Sequence, residues 1–174
     1  PLAKWMDVRS ITEAEPIAQH YRDHVVIAGF GPAGRTIAGA LKTHGVPYLV
    51  VEMNVDTVHE GSAAGEPVYF GDISNEEVLE ALHVEHAKEL VVTVNDPEAL
   101  IHTVDTARRI APELHIVARS RYDQQAEGLS ELGASHVVSG ERTSSTELGR
   151  YILARHGLEF KTVTGGPGCS DSTK

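Results

Sequence analysis

The sequence lacks most of the features that announce a function. It holds one cysteine, Cys169, in 174 residues, and that residue stands in a Gly/Pro/Ser-rich tail. A single thiol makes neither a disulfide framework nor a cysteine metal site, which is the usage of a reducing cytoplasm. No apolar run approaches the roughly 18–20 residues of a membrane span, and no secretory leader is read at the N-terminus. The chain opens at Pro1 rather than Met, as expected of a piece of something larger. Positive charge is scarce: 15 Lys and Arg stand against 25 Asp and Glu, a net charge of −10. A nucleic-acid partner wants a basic face and an anionic membrane attracts polybasic segments, so neither is expected as the main partner.

What the chain does have is a core-forming composition and one organised centre. Hydrophobic residues make up 41%, which suits a single globular domain of this length. The centre is the β-branched run from His24 to Ala28, followed by Gly29-Phe30-Gly31-Pro32-Ala33-Gly34 and then by a helical pattern over 35–42. Strand, Gly-x-Gly-x-x-Gly turn and helix, in that order, are the context a dinucleotide-type fingerprint requires. Gly29 permits a tight turn, Gly31 lets backbone approach a phosphate, and Gly34 lets the helix pack closely on the strand. The helix N-terminus then offers N–H groups and partial positive charge to an anion. A second strand over 48–51 ends in Glu52, 18 residues beyond Gly34, close to the roughly 20 expected of a ribose-binding acid. That carboxylate would accept from a ribose diol and repel a 2′-phosphate.

The rest of the chain alternates. Further strands are expected over 68–70, 89–94, 115–118 and 136–138. Helices are expected over 55–60, after a cap at Ser74 or Asn75, and over 97–110, 124–132 and 143–155. Asn54 reads as the cap of the second helix and Pro97 as the first residue of the fourth. Such alternation calls for a parallel sheet covered on both faces. The fold class is therefore α/β, a Rossmann-like, doubly wound parallel six-stranded sheet in the order 3-2-1-4-5-6. The domain reading sets apart 1–20, where Leu2, Trp5, Met6 and Val8 suit a short amphipathic segment and Glu13, Glu15 and Pro16 have linker composition; this is read as an N-terminal arm packed on the domain or frayed. The Rossmann-like domain occupies 21–157, and an extension and flexible tail 158–174.

A ligand of such a sheet lies beyond the carboxyl ends of its strands. Asp72 there either accepts from an adenine amino group, with Ile73 against the ring, or is a turn residue. Thr93 and Asn95 face phosphates or a second sugar, or serve the cap of the next helix. Arg119 is a cation at a strand end, and Glu141 at the sixth strand end reads as a solvated acid. The candidate nucleotide-binding set is Gly29, Phe30, Gly31, Pro32, Ala33, Gly34, Glu52, Met53, Asp72, Ile73, Thr93, Asn95 and Arg119. No residue is assigned a catalytic or metal-binding role. A dehydrogenase needs a proton donor or acceptor beside the nicotinamide, usually from a second domain, and too few residues follow the sixth helix. Tyr151 and Arg155 do not replace the tyrosine–lysine pair of short-chain dehydrogenases. His83 and His86, the one close histidine pair, have no third ligand.

Several tracts together resemble the RCK domain family, the regulator-of-potassium-conductance domain also called KTN or TrkA-N. They are the glycine turn at 29–34, Val50-Val51-Glu52, Tyr69-Phe70-Gly71-Asp72-Ile73-Ser74, Leu90-Val91-Val92-Thr93-Val94-Asn95-Asp96-Pro97, Ile116-Val117-Ala118-Arg119 and Leu132-Gly133-Ala134. The likeness runs over about 25–157 and is strongest to the cytoplasmic C-terminal domain of Kef-type potassium:proton antiporters. It implies a regulatory domain that binds NAD(H), AMP, ADP or ATP, pairs into a homodimer, and gates a membrane-embedded potassium channel or antiporter from the cytoplasmic face of the bacterial inner membrane. It also implies that residues 1–20 are an N-terminal tether, and that Glu52 holds the adenosine ribose, Asp72 and Ile73 the adenine, and Arg119 the phosphates. Glu141 matches a position that binds a divalent cation in some relatives. Pro32 departs from the family, which often carries Arg or another polar residue there. The alternative expectation is an NAD-dependent oxidoreductase domain.

Overall fold

The computed structural model describes residues 8–121, 123–140 and 144–159. Leu2, Trp5, Met6, Glu141, Cys169 and most of the C-terminal extension lie outside them. Six strands form the sheet: β1 (Val25–Ala28), β2 (Tyr48–Glu52), β3 (Val68–Phe70), β4 (Glu89–Val92), β5 (His115–Ser120) and β6 (His136–Ser139). All are parallel and stand in the order β3-β2-β1-β4-β5-β6, the doubly wound arrangement expected from the alternation. Among the described residues seven α-helices accompany them, α1 (Ile11–Ala18), α2 (Pro32–Thr43), α3 (Val55–Ala63), α4 (Glu76–Ala81), α5 (Pro97–Ile110), α6 (Asp123–Glu131) and α7 (Ser144–Arg155), with a short 3-10 turn at Val84–His86.

Strand alternation divides the core in two. Val26 and Ala28 of β1 point to a layer with Ala14 and Ala18 of α1, Leu79 of α4, Leu100 and Val104 of α5 and Leu129 of α6. Val25 and Ile27 point to the other, with Ile37 and Leu41 of α2, Val58 of α3 and Leu148 and Ile152 of α7. The central strands are buried on both faces, which is why they read as unbroken apolar runs rather than alternating ones.

Several boundaries differ from the sequence reading, among them the end of α3, which runs to Ala63 rather than 60. Glu13, Glu15 and Pro16, of linker composition, belong to α1. That helix starts at Ser10, whose N–H donates to the Glu13 carboxylate at 3.2 Å, and it buries Ala14 and Ala18 completely. Two alanines four apart make a helical stripe too small to register as an apolar period. The segment before α1 also pairs with the sheet rim, where the Phe70 N–H donates to the Arg9 carbonyl at 2.7 Å and Ser10 makes a parallel bridge to Phe70. β4 ends at Val92 rather than Val94, and β5 continues to Ser120. β5 keeps a partner beyond the end of β4, because β6 pairs with it through Ser120 opposite Ser139. Arg119 is therefore inside a strand rather than after one.

Candidate functional site

The β1–α2 turn is shaped by its glycines. Gly29 has φ +99°, and a Cβ there would stand 2.8 Å from Thr93 Oγ1. A Cβ on Gly34 would stand 2.1 Å from the Gly29 carbonyl oxygen, so only glycine lets α2 seat against the end of β1. Gly31 is different: nothing lies within 4 Å of the place its Cβ would take, and its φ of −70° and ψ of −167° suit any residue. Its lack of a side chain leaves open space over the turn. Gly31 caps α2, and Pro32 takes the first helical position, where its missing N–H costs nothing. The Gly29 N–H donates to the Val51 carbonyl, the Phe30 N–H to Glu52, and the Arg35 N–H back to Gly31. The N–H groups of Gly31, Ala33 and Gly34 meet no acceptor among the described residues. Orphan donors at a helix N-terminus, with open space over Gly31, are an anion-receiving arrangement.

Glu52 closes β2 across from this turn. Its Oε2 accepts from the Phe30 N–H at 2.7 Å, and its Oε1 from the Asn54 N–H at 2.8 Å. The carboxylate is thus held from both sides by backbone, one donor from the β1–α2 turn and one from the cap of α3. Each oxygen keeps a second lone pair for an incoming hydroxyl.

Between them lies a cleft of about 250 Å³, at the point where the strand order turns from β1 to β4. The structure brings Gly29, Gly31, Glu52, Met53, Asp72, Ile73, Thr93 and Asn95 to its walls. Ile73 is only 4% exposed and offers an edge, whereas Met53 stands out at 59%, an apolar side chain on the rim. Asp72 Oδ1 accepts from the Ser74 N–H at 3.0 Å and the Ser74 hydroxyl at 2.7 Å, so the turn role considered for it is present. Its Oδ2 meets no protein donor among the described residues.

Other expected members are placed differently. Phe30 contributes backbone only, since its ring is buried against α3 and its N–H is taken by Glu52. Pro32, Ala33 and Gly34 do not line the cleft. Thr93 does, but its hydroxyl donates to the Ala28 carbonyl at 2.9 Å, which ties the end of β4 to β1. The cap of α5 is made by Asp96, which accepts from the Ala99 N–H at 2.7 Å, and not by Thr93 or Asn95. Arg119 faces a smaller adjoining hollow of about 10 Å³ and donates to Asn95 Oδ1 at 3.1 Å. Val51 and Ala99 also line the cleft and were not expected there, while Gly71, Val94 and Asp96, which stand at the strand ends where a ligand was expected but were left out of the candidate set, line it as well. Asp96 had a signal, since an acid before Pro97 at a helix start points its carboxylate at the first turn.

An anion-receiving helix terminus at the switch point of a parallel sheet, with an acid at the end of the neighbouring strand, defines a Rossmann-type nucleotide-binding domain. Within that class the chain belongs to the TrkA-N domain family, whose model matches residues 25–140. The TrkA-N domain of the inner membrane protein YbaL from Escherichia coli is 30% identical, with 78% of this chain and 98% of that one covered, at a TM-score of 0.66. The GsuK channel bound to NAD is 26% identical over 78% of this chain, at a TM-score of 0.64. This chain covers only 24% of that one. The Kef CTD of Shewanella denitrificans in AMP-bound form shares the fold at 24% identity and a TM-score of 0.57, with 77% and 81% covered.

Proposed function

We propose that this domain is a regulatory nucleotide sensor with no chemistry of its own. It takes an adenine nucleotide (AMP, ADP or ATP) or NAD(H) into the carboxyl-edge cleft and controls a potassium channel or potassium:proton antiporter. The observation that carries this reading is the pairing of three orphan amides at Gly31, Ala33 and Gly34 with the backbone-held carboxylate of Glu52. The amides and the α2 dipole would hold phosphate. Glu52 would accept from the two ribose hydroxyls and repel a 2′-phosphate. Asp72 Oδ2 would accept from the base amino group, with Ile73 and Met53 against the ring. Arg119 lies one hollow away and would reach a phosphate only by leaving Asn95.

The GsuK relative was solved with NAD and the YbaL relative is an inner membrane protein, which supports a partner in the bacterial inner membrane with this domain on its cytoplasmic face. No helix among the described residues is long and apolar enough to cross a membrane, so transport would belong to that partner. The ligand would act by favouring one arrangement of a homodimer over another, which requires different affinities for the two arrangements. Native mass spectrometry of the purified chain, followed by calorimetry with AMP, ADP, ATP and NADH, tests the reading. A co-purifying adenine nucleotide and saturable one-site binding are expected. Oxidation of NADH with a small substrate would overturn it in favour of an oxidoreductase.

A further inference from the structure

Resting on the nucleotide reading, we propose that Gly61, which lies outside the cleft, is a positioning residue that sets ribose recognition by Glu52. Glycine weakens a helix interior relative to alanine, so its presence in α3 needs a reason. The reason is contact: a Cβ on Gly61 would stand 2.8 Å from Phe30 Cε1 and 2.8 Å from Val68 Cγ2. The Phe30 ring is 3% exposed and is covered on another side by the Arg35 guanidinium, 4.7 Å from its centroid. Arg35 Nε also donates to the Phe30 carbonyl at 3.1 Å. Phe30 is thereby clamped by ring and carbonyl, and its N–H is the donor to Glu52 Oε2 at 2.7 Å.

The other donor to Glu52 comes from the same helix. Asn54 caps α3, and its N–H reaches Glu52 Oε1 at 2.8 Å. A methyl added at Gly61 relieves its contact with Phe30 in one of two ways. Either the ring yields and shifts the Phe30 amide, or α3 backs away and shifts the Asn54 amide. Both routes end on the Glu52 carboxylate. A carboxylate that must meet two vicinal hydroxyls at once tolerates little displacement, while the phosphate-facing amides lie beyond Phe30, that of Gly31 on the peptide whose carbonyl Arg35 Nε holds and those of Ala33 and Gly34 within α2. Gly61 therefore governs the preference for a ribose diol over a deoxyribose, not nucleotide binding as a whole.

The test is calorimetry on the full chain with AMP and 2′-deoxy-AMP, in the wild type and in Gly61→Ala. The wild type is expected to prefer AMP. Gly61→Ala is expected to weaken AMP by about tenfold, the scale of one charged hydrogen bond, and to leave 2′-deoxy-AMP within about twofold. In the ligand-free variant the Phe30 or Asn54 amide proton should move upfield by NMR. An equal loss for both ligands would reduce Gly61 to general packing and overturn the proposal, as would unchanged AMP affinity in a folded variant. A Gly61→Ala/Phe30→Leu double variant removes the ring the methyl meets and should regain the preference for AMP; a folded double variant that does not regain it would overturn the proposal. Wild-type protein that binds both nucleotides equally would refute ribose recognition by Glu52 alone. Binding of neither would refute the nucleotide reading and this inference with it.

Discussion

The two edges of the sheet handle polarity in opposite ways. At the amino edge the chain pairs its own charges, although Glu89 Oε2 and His156 Nε2, 3.9 Å apart, make no hydrogen bond among the described residues. Glu89, fully buried at the start of β4, accepts from Arg155 Nε at 2.5 Å, and Lys88 Nζ donates to the Arg155 carbonyl at 3.1 Å. Burial pushes the Glu89 carboxyl up and Arg155 pulls it back. His115, at the start of β5, meets the Tyr151 hydroxyl at 3.2 Å, and His136 stacks on the same ring at 4.1 Å. Burial, aided by Arg155, His136 and Arg108, holds His115 down at about 4. At the carboxyl edge, among the described residues, three amides meet no acceptor and a carboxylate is steadied by backbone without a cation. One edge fastens α7 to the sheet, and the other leaves its dipoles for something that arrives. Variants at the two edges should therefore separate stability from binding.

Arg155→Met should break the amino edge hardest. It strands a buried carboxylate and should cost about 3 kcal/mol, the low end for such a pair because Arg155 is itself 35% exposed. Urea unfolding at pH 7 measures it. The upward-shifted Glu89 makes the folded state the better proton binder, so the deficit should shrink as pH falls and the stranded carboxylate takes up a proton. Nucleotide affinity should not move, and a parallel loss of binding would dissolve the contrast. Gly31→Val does the reverse: it fills the open space over the turn and should weaken nucleotide binding about 100-fold by calorimetry. Its stability should change by less than about 1 kcal/mol, since the backbone there suits any residue. Glu52→Ala should cost about 2 kcal/mol of affinity for a ribose nucleotide, the scale of charged hydrogen bonds, and unchanged affinity would remove it as the ribose acid. The smallest effect is a pH one. His115 titrates near 4 when folded against about 6.5 unfolded, so stability should be full above pH 6.5 and fall as pH drops toward 4. His115→Gln should flatten that slope by on the order of 1 kcal/mol once solvent screening is allowed for, with nucleotide affinity unaffected.

The carboxyl edge was the more legible of the two. The glycine turn, the helix after it and the acid ending β2 are local patterns, each set by neighbours within a few residues, and the strand order follows from alternation and handedness. What escaped notice depends on partners distant in sequence. The amide that holds Glu52 comes from Phe30, 22 residues away, and the hydroxyl of Thr93 turns to Ala28 across a strand pair. Arg119 sits apart from the main cleft because β6 lengthens β5, which nothing in residues 115–120 reveals. α1 was hidden by the size of its alanines, and Gly61 fell just past the helix expected over 55–60, which in fact runs to Ala63.

The short pairing between the N-terminal segment and β3 has a consequence for solubility. β3 has three residues and lies at the margin of the sheet, where unpaired backbone would invite strands from other molecules. With the Arg9 carbonyl already on the Phe70 amide and Ser10 bridged to Phe70, the Phe70 end of that margin is occupied and offers less to templated β-aggregation.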